Sequence, residues 1–197
     1  RAVQRQPRRA AYHIAAALTA TQLGEYGRAE SAVRQAQALR PQDPVLATEV
    51  AAILAHGAVQ RPGWIDMAYD TYERAIELAP TRALTYRQYA DLALRSGDRR
   101  LALLQAAEAV NLDATDGIAY GILGWAHLQD GDLVAAQAAF EQAIHWQPDS
   151  ADFYLGFATV YLERDHRDAA RLALQKSLSL DPSYVPSLTL RSSLERE

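Results

Sequence analysis

Residues 117–150 read GIAYGILGWAHLQDGDLVAAQAAFEQAIHWQPDS. The stretch splits into two helix-length halves. Ile118 to Gln129 is uncharged and apolar, and it ends at Asp130-Gly131-Asp132. Gly131 suits the left-handed residue that closes a helix, and Asp132 suits the cap that opens the next one. The second half runs from Leu133 to Trp146, and Pro148 stops it because proline cannot continue a helix. The segment therefore predicts a helix–turn–helix with no strand.

The same unit recurs outward in both directions. Prolines stand at Pro7, Pro41, Pro80, Pro148 and Pro182, spaced by 34, 39, 68 and 34 residues, and 68 is twice 34. Ala29, Ala68, Ala102, Ala136 and Ala170 keep the same ruler, as do Ala36, Ala75, Ala109, Ala143 and Ser177, and Ala17, Ala51, Ala90, Gly124 and Ala158. Several independent columns on one period identify an internal repeat. Ser96-Gly97-Asp98 copies the 130–132 turn one unit earlier. Small columns are expected where two helices cross closely, with aromatics filling the adjoining holes: Tyr86, Tyr120 and Tyr154 in one column, Tyr72 and Phe140 in another.

These residues resemble the tetratricopeptide repeat, whose 34-residue pattern is W-x2-L-G-x2-Y, then A-x3-F, then P. Residues 117–150 match with Tyr120, Leu123, Gly124, Ala136, Phe140, Ala143 and Pro148, and depart at His127, where tyrosine is usual. Residues 151–184 match with Tyr154, Phe157, Ala158, Tyr161, Ala170, Leu174, Ser177 and Pro182. Residues 83–116 match with Tyr86, Tyr89, Ala90, Ala102, Ala106 and Ala109, and carry Ala114 in place of proline. Residues 10–43 are weaker at the start but fit through Gly24, Ala29, Val33, Ala36 and Pro41. Residues 44–82 hold five extra positions, placed in the loop 57–63. Residues 1–9 align with the tail of a preceding repeat, and 185–197 read as a polar C-terminal capping helix. The resemblance implies an all-α, right-handed superhelical solenoid of antiparallel helix pairs.

Composition narrows the function classes. The 197 residues hold 20 Lys+Arg and 24 Asp+Glu, a net charge of −4, with 49% hydrophobic and 22% charged residues. That balance excludes wholesale disorder and disfavours a broad grip on nucleic acid. The charge is lopsided: residues 1–100 carry 14 basic and 10 acidic side chains, residues 101–197 carry 6 and 14, and no Lys or Arg lies between Arg100 and Arg164. With no cysteine, disulfides, thiolate nucleophiles and cysteine-based metal centres are excluded, while the compartment stays open, with a cytoplasmic location slightly favoured. Arg8-Arg9 before the uncharged run 10–24 has the look of a secretion signal, but the run fits the repeat. No stretch approaches the roughly 20 apolar residues of a membrane span.

No catalytic or cofactor site is expected. The histidines His13, His56, His127, His145 and His166 lie in different repeats without the i, i+4 spacing of a helical zinc site. Asp130-Gly131-Asp132 lacks the further ligands of a calcium loop. Asp165 and Asp168 beside Arg164 and Arg167 read as a solvated turn, and no glycine-rich phosphate loop precedes a helix. The reading is thus a non-enzymatic chain without cofactor or metal.

The resemblance implies that the first helix of each repeat lines a concave groove that binds peptides or partner proteins. Helix periodicity places Ile14, Leu18, Leu84, Arg87, Gln88, Asp91, Ile118, Ile122, Trp125, Leu155 and Thr159 on that inner stripe. A helix exposed on one side should show charge there, yet Gly117–Gln129 has none. Two explanations stand. Either a partner segment covers an apolar groove with Trp125 as anchor, or close packing buries these residues against the next repeat. The inward columns hold no lysine and no asparagine, which speaks against the family's clamp for chaperone tails. A protein or peptide partner is expected, nucleic acid and membrane insertion are not, and the alternatives are self-association through exposed terminal repeats or an accessory domain of a larger enzyme or regulator.

Overall fold

The computed structural model describes residues 6–194, which form eleven α-helices and no strand. They are α1 (Gln6–Gln22), α2 (Tyr26–Leu39), α3 (Pro44–Gly57), α4 (Trp64–Leu78), α5 (Ala83–Ser96), α6 (Arg99–Leu112), α7 (Gly117–Asp130), α8 (Leu133–Trp146), α9 (Ala151–Glu163), α10 (Arg167–Leu180) and α11 (Val185–Leu194). Helix α1 begins four residues ahead of the expected Ala10. Proline lacks only an N–H that the first helical turn would leave unpaired, so Pro7 does not prevent this start. The preceding-repeat tail expected for residues 1–9 lies, for residues 1–5, outside the described residues.

The chain forms two compact units that meet in sequence within α5, one ending at Tyr89 and the other starting at Ala90. In the first unit, α1 packs on α2 and α3 on α4. In the second, α7 packs on α8 and α9 on α10. Two- or three-residue turns join most of these pairs, which forces the partners antiparallel: the turns are 23–25, 131–132 and 164–166. The α3–α4 connection is longer, spanning 58–63. Its far end is anchored by Trp64, which is buried and meets the ring of Tyr26 edge-on at 5.5 Å.

Turn chemistry follows the sequence signals. Gly24, Gly97 and Gly131 all take positive φ, between 74° and 83°. The fourth turn of the series has Asp165 in that position, left-handed at φ 58°. The side chain of Asp98 accepts from the Leu101 N–H and that of Asp132 from the Ala135 N–H, at 3.1 and 3.0 Å. Each satisfies one donor that an uncapped helix start would leave without a partner.

The small-residue columns are the crossing points. Ala29, Ala68, Ala102, Ala136 and Ala170 are all fully buried, and so are Ala36, Ala75, Ala109, Ala143 and Ser177. Ser177 brings a hydroxyl into this alanine column, and the hydroxyl donates to the Ala151 carbonyl at 2.7 Å. The aromatic columns fill the gaps. In the first unit Tyr72 is buried and stacks on Tyr89 with ring centres 5.2 Å apart. In the second, fully buried Phe140 of α8 fits between Gly124 of α7 and Gly156 of α9. A Cβ at Gly156 would stand 2.3 Å from its ring, and one at Gly124 would stand 2.8 Å away.

Candidate functional site

In the first unit, Ile14 is half-buried and Leu18 is exposed on α1. Leu84, Arg87 and Gln88 are half-buried at the start of α5. Nearby hydroxyls are consumed internally: Thr48 and Thr85 share a 2.9 Å hydrogen bond, and Tyr86 donates to the Pro80 carbonyl at 2.9 Å. Of the expected groove residues in this unit only Leu18 is apolar and exposed, and the half-buried Arg87 and Gln88 make the stretch polar.

The second unit gathers the rest. Asp91 pairs with Arg95 on its own helix at 2.7 Å. Ile122 is 8% exposed and packs with Ala90 and Ala106. Leu155 is 7% exposed and packs with Ala158, Leu174 and Leu194. Both residues are core, so the absence of charge over Gly117–Gln129 of α7 reflects burial on more than one side, as expected for a helix that is apolar nearly all round. Ile118 remains exposed at 42%, and Thr159 is half-buried with its hydroxyl on the Leu155 carbonyl.

Trp125 holds the most constrained position. Its ring stands edge-on to Phe140 at 5.4 Å and reaches the cluster around Leu155. Its indole N–H donates to an Asp152 oxygen at 2.8 Å. The other Asp152 oxygen accepts from the Tyr184 hydroxyl, also at 2.8 Å. One carboxylate thus clasps α7, α9 and the turn before α11. Burial, reinforced by the hydrogen bond to Asp152 and its negative charge, pushes the Tyr184 phenol well above its usual range. The sequence pattern gave no sign of Tyr184, which falls outside the repeated columns.

Among the described residues no group of three or more His, Asp or Glu side chains converges as a metal site. No described helix is long and apolar enough to cross a membrane.

The tetratricopeptide repeat family profile matches residues 127–190, the stretch that holds the Phe140 and Tyr184 contacts. Residues 127–190 carry tetratricopeptide repeats. Solved tetratricopeptide structures share the fold. MamA from Desulfovibrio magneticus RS-1 is 18% identical, with 89% of this chain and 97% of that one covered, at a TM-score of 0.73. TTC0263, a thermophilic TPR protein in Thermus thermophilus, is 18% identical over 95% of this chain and all of its own, also at 0.73. YrrB, described as a TPR protein with an unusual peptide-binding site, is 19% identical over 91% and 90% at 0.67. No curated protein sequence matches the chain. The repeat is, in general, the architecture of a protein-interaction scaffold.

Proposed function

We propose that the tetratricopeptide chain binds a peptide or partner helix on the α7–α9 face that presents Ile118, Trp125 and Thr159. The observation that carries this reading is the Trp125–Asp152–Tyr184 clasp. It fixes an aromatic edge in place before any partner arrives, so little side-chain entropy is lost on binding. Ile118 adds an exposed apolar contact on the same helix. The peptide-binding site in the description of YrrB lends further support. The reading is one of binding and not of catalysis.

Capture of partners from the native source tests it. Ile118→Asp, an exposed change, should lower recovery of the bound protein about tenfold or more, in line with hot-spot losses near 2 kcal/mol. Trp125→Ala should do the same while circular dichroism retains the helical signal. Undiminished capture by both variants would refute the reading. A second reading, self-association through α1, is favoured by Tyr12 and Leu23, exposed at 71% and 68% beside a cleft of about 510 Å³. Sedimentation of the native chain against Leu23→Asp decides it: a monomer at every micromolar concentration removes this reading.

A further inference from the structure

The second helices of the pairs α7/α8 and α9/α10 enclose a cleft of about 460 Å³. Its floor is aromatic, from Tyr154, Phe157 and Tyr161 at i, i+3 and i+7 on α9. Ile144 of α8 and Leu172 of α10 stand in the walls, and Leu172 is 69% exposed. The cleft is lined by none of Ile118, Trp125 and Thr159. A helix side open to water should carry charge. Yet α8 has a single charged side chain, Glu141, in 14 residues, and it exposes Val134 and Ala138. The two wall charges are opposite in sign: Glu141 on α8 and, on α10, Lys176, the only lysine of the chain. Glu141 accepts from the Gln137 amide at 2.9 Å, and the Lys176 ammonium stands 5.7 Å from the centre of the Tyr154 ring. Glu141 and Lys176 are both exposed, so these contacts give way to an ion pair at little cost.

We propose that this cleft seats a second copy of the chain, in a two-fold dimer whose axis runs along the cleft. Helices α8 and α10 each hold 14 residues and run the same way, since short connections reverse the chain once on each side of α9. Glu141 is the ninth residue of α8 and Lys176 the tenth of α10, so the two stand at nearly equal height. An axis parallel to both helices lays α10 of one copy over α8 of the other. Lys176 then meets Glu141 of the partner subunit, and the pair is made twice, as a two-fold interface requires. Leu172 lies one 34-residue period after Ala138, so the same axis sets an exposed leucine against an exposed alanine, a large side chain against a small one. Glu141 is the only charge that α8 brings, and the one acidic residue of α10, Asp168, stands two turns away opposite Val134, so no like charges meet. Each wall thus carries what the facing wall lacks.

Sedimentation equilibrium of the full chain tests this. The native chain should pass from monomer to dimer between about 10 and 500 µM. Leu172→Asp, an exposed change, should weaken the dimer about tenfold or more. Glu141→Lys and Lys176→Glu should each weaken it about tenfold. The double variant, Glu141→Lys with Lys176→Glu, should recover native association, because the pair is only reversed. Circular dichroism checks that every variant keeps its helical signal. Ile118→Asp and Leu23→Asp should leave this equilibrium unchanged, so the cleft, the α7–α9 face and α1 succeed or fail separately. Three results overturn the proposal. One is a monomer throughout that range, whether or not Leu172→Asp impairs capture of a different protein. The others are a dimer that Leu172→Asp leaves intact, and a double charge variant no stronger than the single ones.

Discussion

Phe140 shows how far single positions govern this chain. Its ring is closed in by two glycines on the first helices of successive pairs, Gly124 of α7 and Gly156 of α9. Gly156→Ala puts a methyl group into the ring and should destabilise the protein by about 1–3 kcal/mol, the usual range for overpacking. Chemical denaturation measures it, and a loss below a few tenths would show that the ring can move aside. Asp165 gives the opposite expectation. It adopts the left-handed turn that glycine adopts at Gly24, Gly97 and Gly131. Its contact with Arg167 is exposed and 3.6 Å long, so little is lost with the carboxylate. Asp165→Gly should raise stability by about 0.5–1 kcal/mol through relief of the left-handed strain, read as a higher denaturation midpoint. The small-residue columns were legible because a side chain that must be absent leaves a periodic mark. The strained turn was not legible, because Asp165 looks like any solvated loop residue.

Helices α7 and α9 carry the lesson at the scale of elements. The uncharged run Gly117–Gln129 of α7 reads equally well as an open binding wall or as burial on several sides. Ile122 and Leu155 turn out to be core, while Ile118 stays exposed, and only the positions of neighbouring helices decide between the two. The clasp that joins these helices was invisible for a related reason: Tyr184 lies in a turn, off the 34-residue ruler. It makes the last repeats sensitive to alkali. A phenol whose folded pKa is raised stays protonated in the fold while the unfolded chain ionises near pH 10. Its contribution is complete below about pH 10 and is lost as the pH rises toward the folded value. Tyr184→Phe should therefore be less stable than the native chain at pH 8, and its stability should fall less between pH 8 and 10.5. Parallel declines in urea midpoint would show that the hydroxyl has no such role.

Within each of the two units the contacts are local, most of them between helices adjacent in sequence. Stability in such chains is close to a sum of repeat and neighbour terms. Amide exchange should then be slowest in α2, α4, α6, α8 and α10, which carry the fully buried columns, and fastest in α11, most of whose residues are exposed or half-buried. Uniform protection through α11 would contradict this. The charge division between the two ends of the sequence, +4 over residues 1–100 and −8 over 101–197, adds a salt dependence to any charged partner's association rate. The fully buried alanines have one more consequence, for what the gene can tolerate. Ala68, Ala102, Ala136 and Ala170 are fully buried, so a larger side chain at any of them must displace packed neighbours. A saturation-mutagenesis library sorted for folded protein should trace a comb, with sharp intolerant teeth recurring at the 34-residue period and permissive gaps between them.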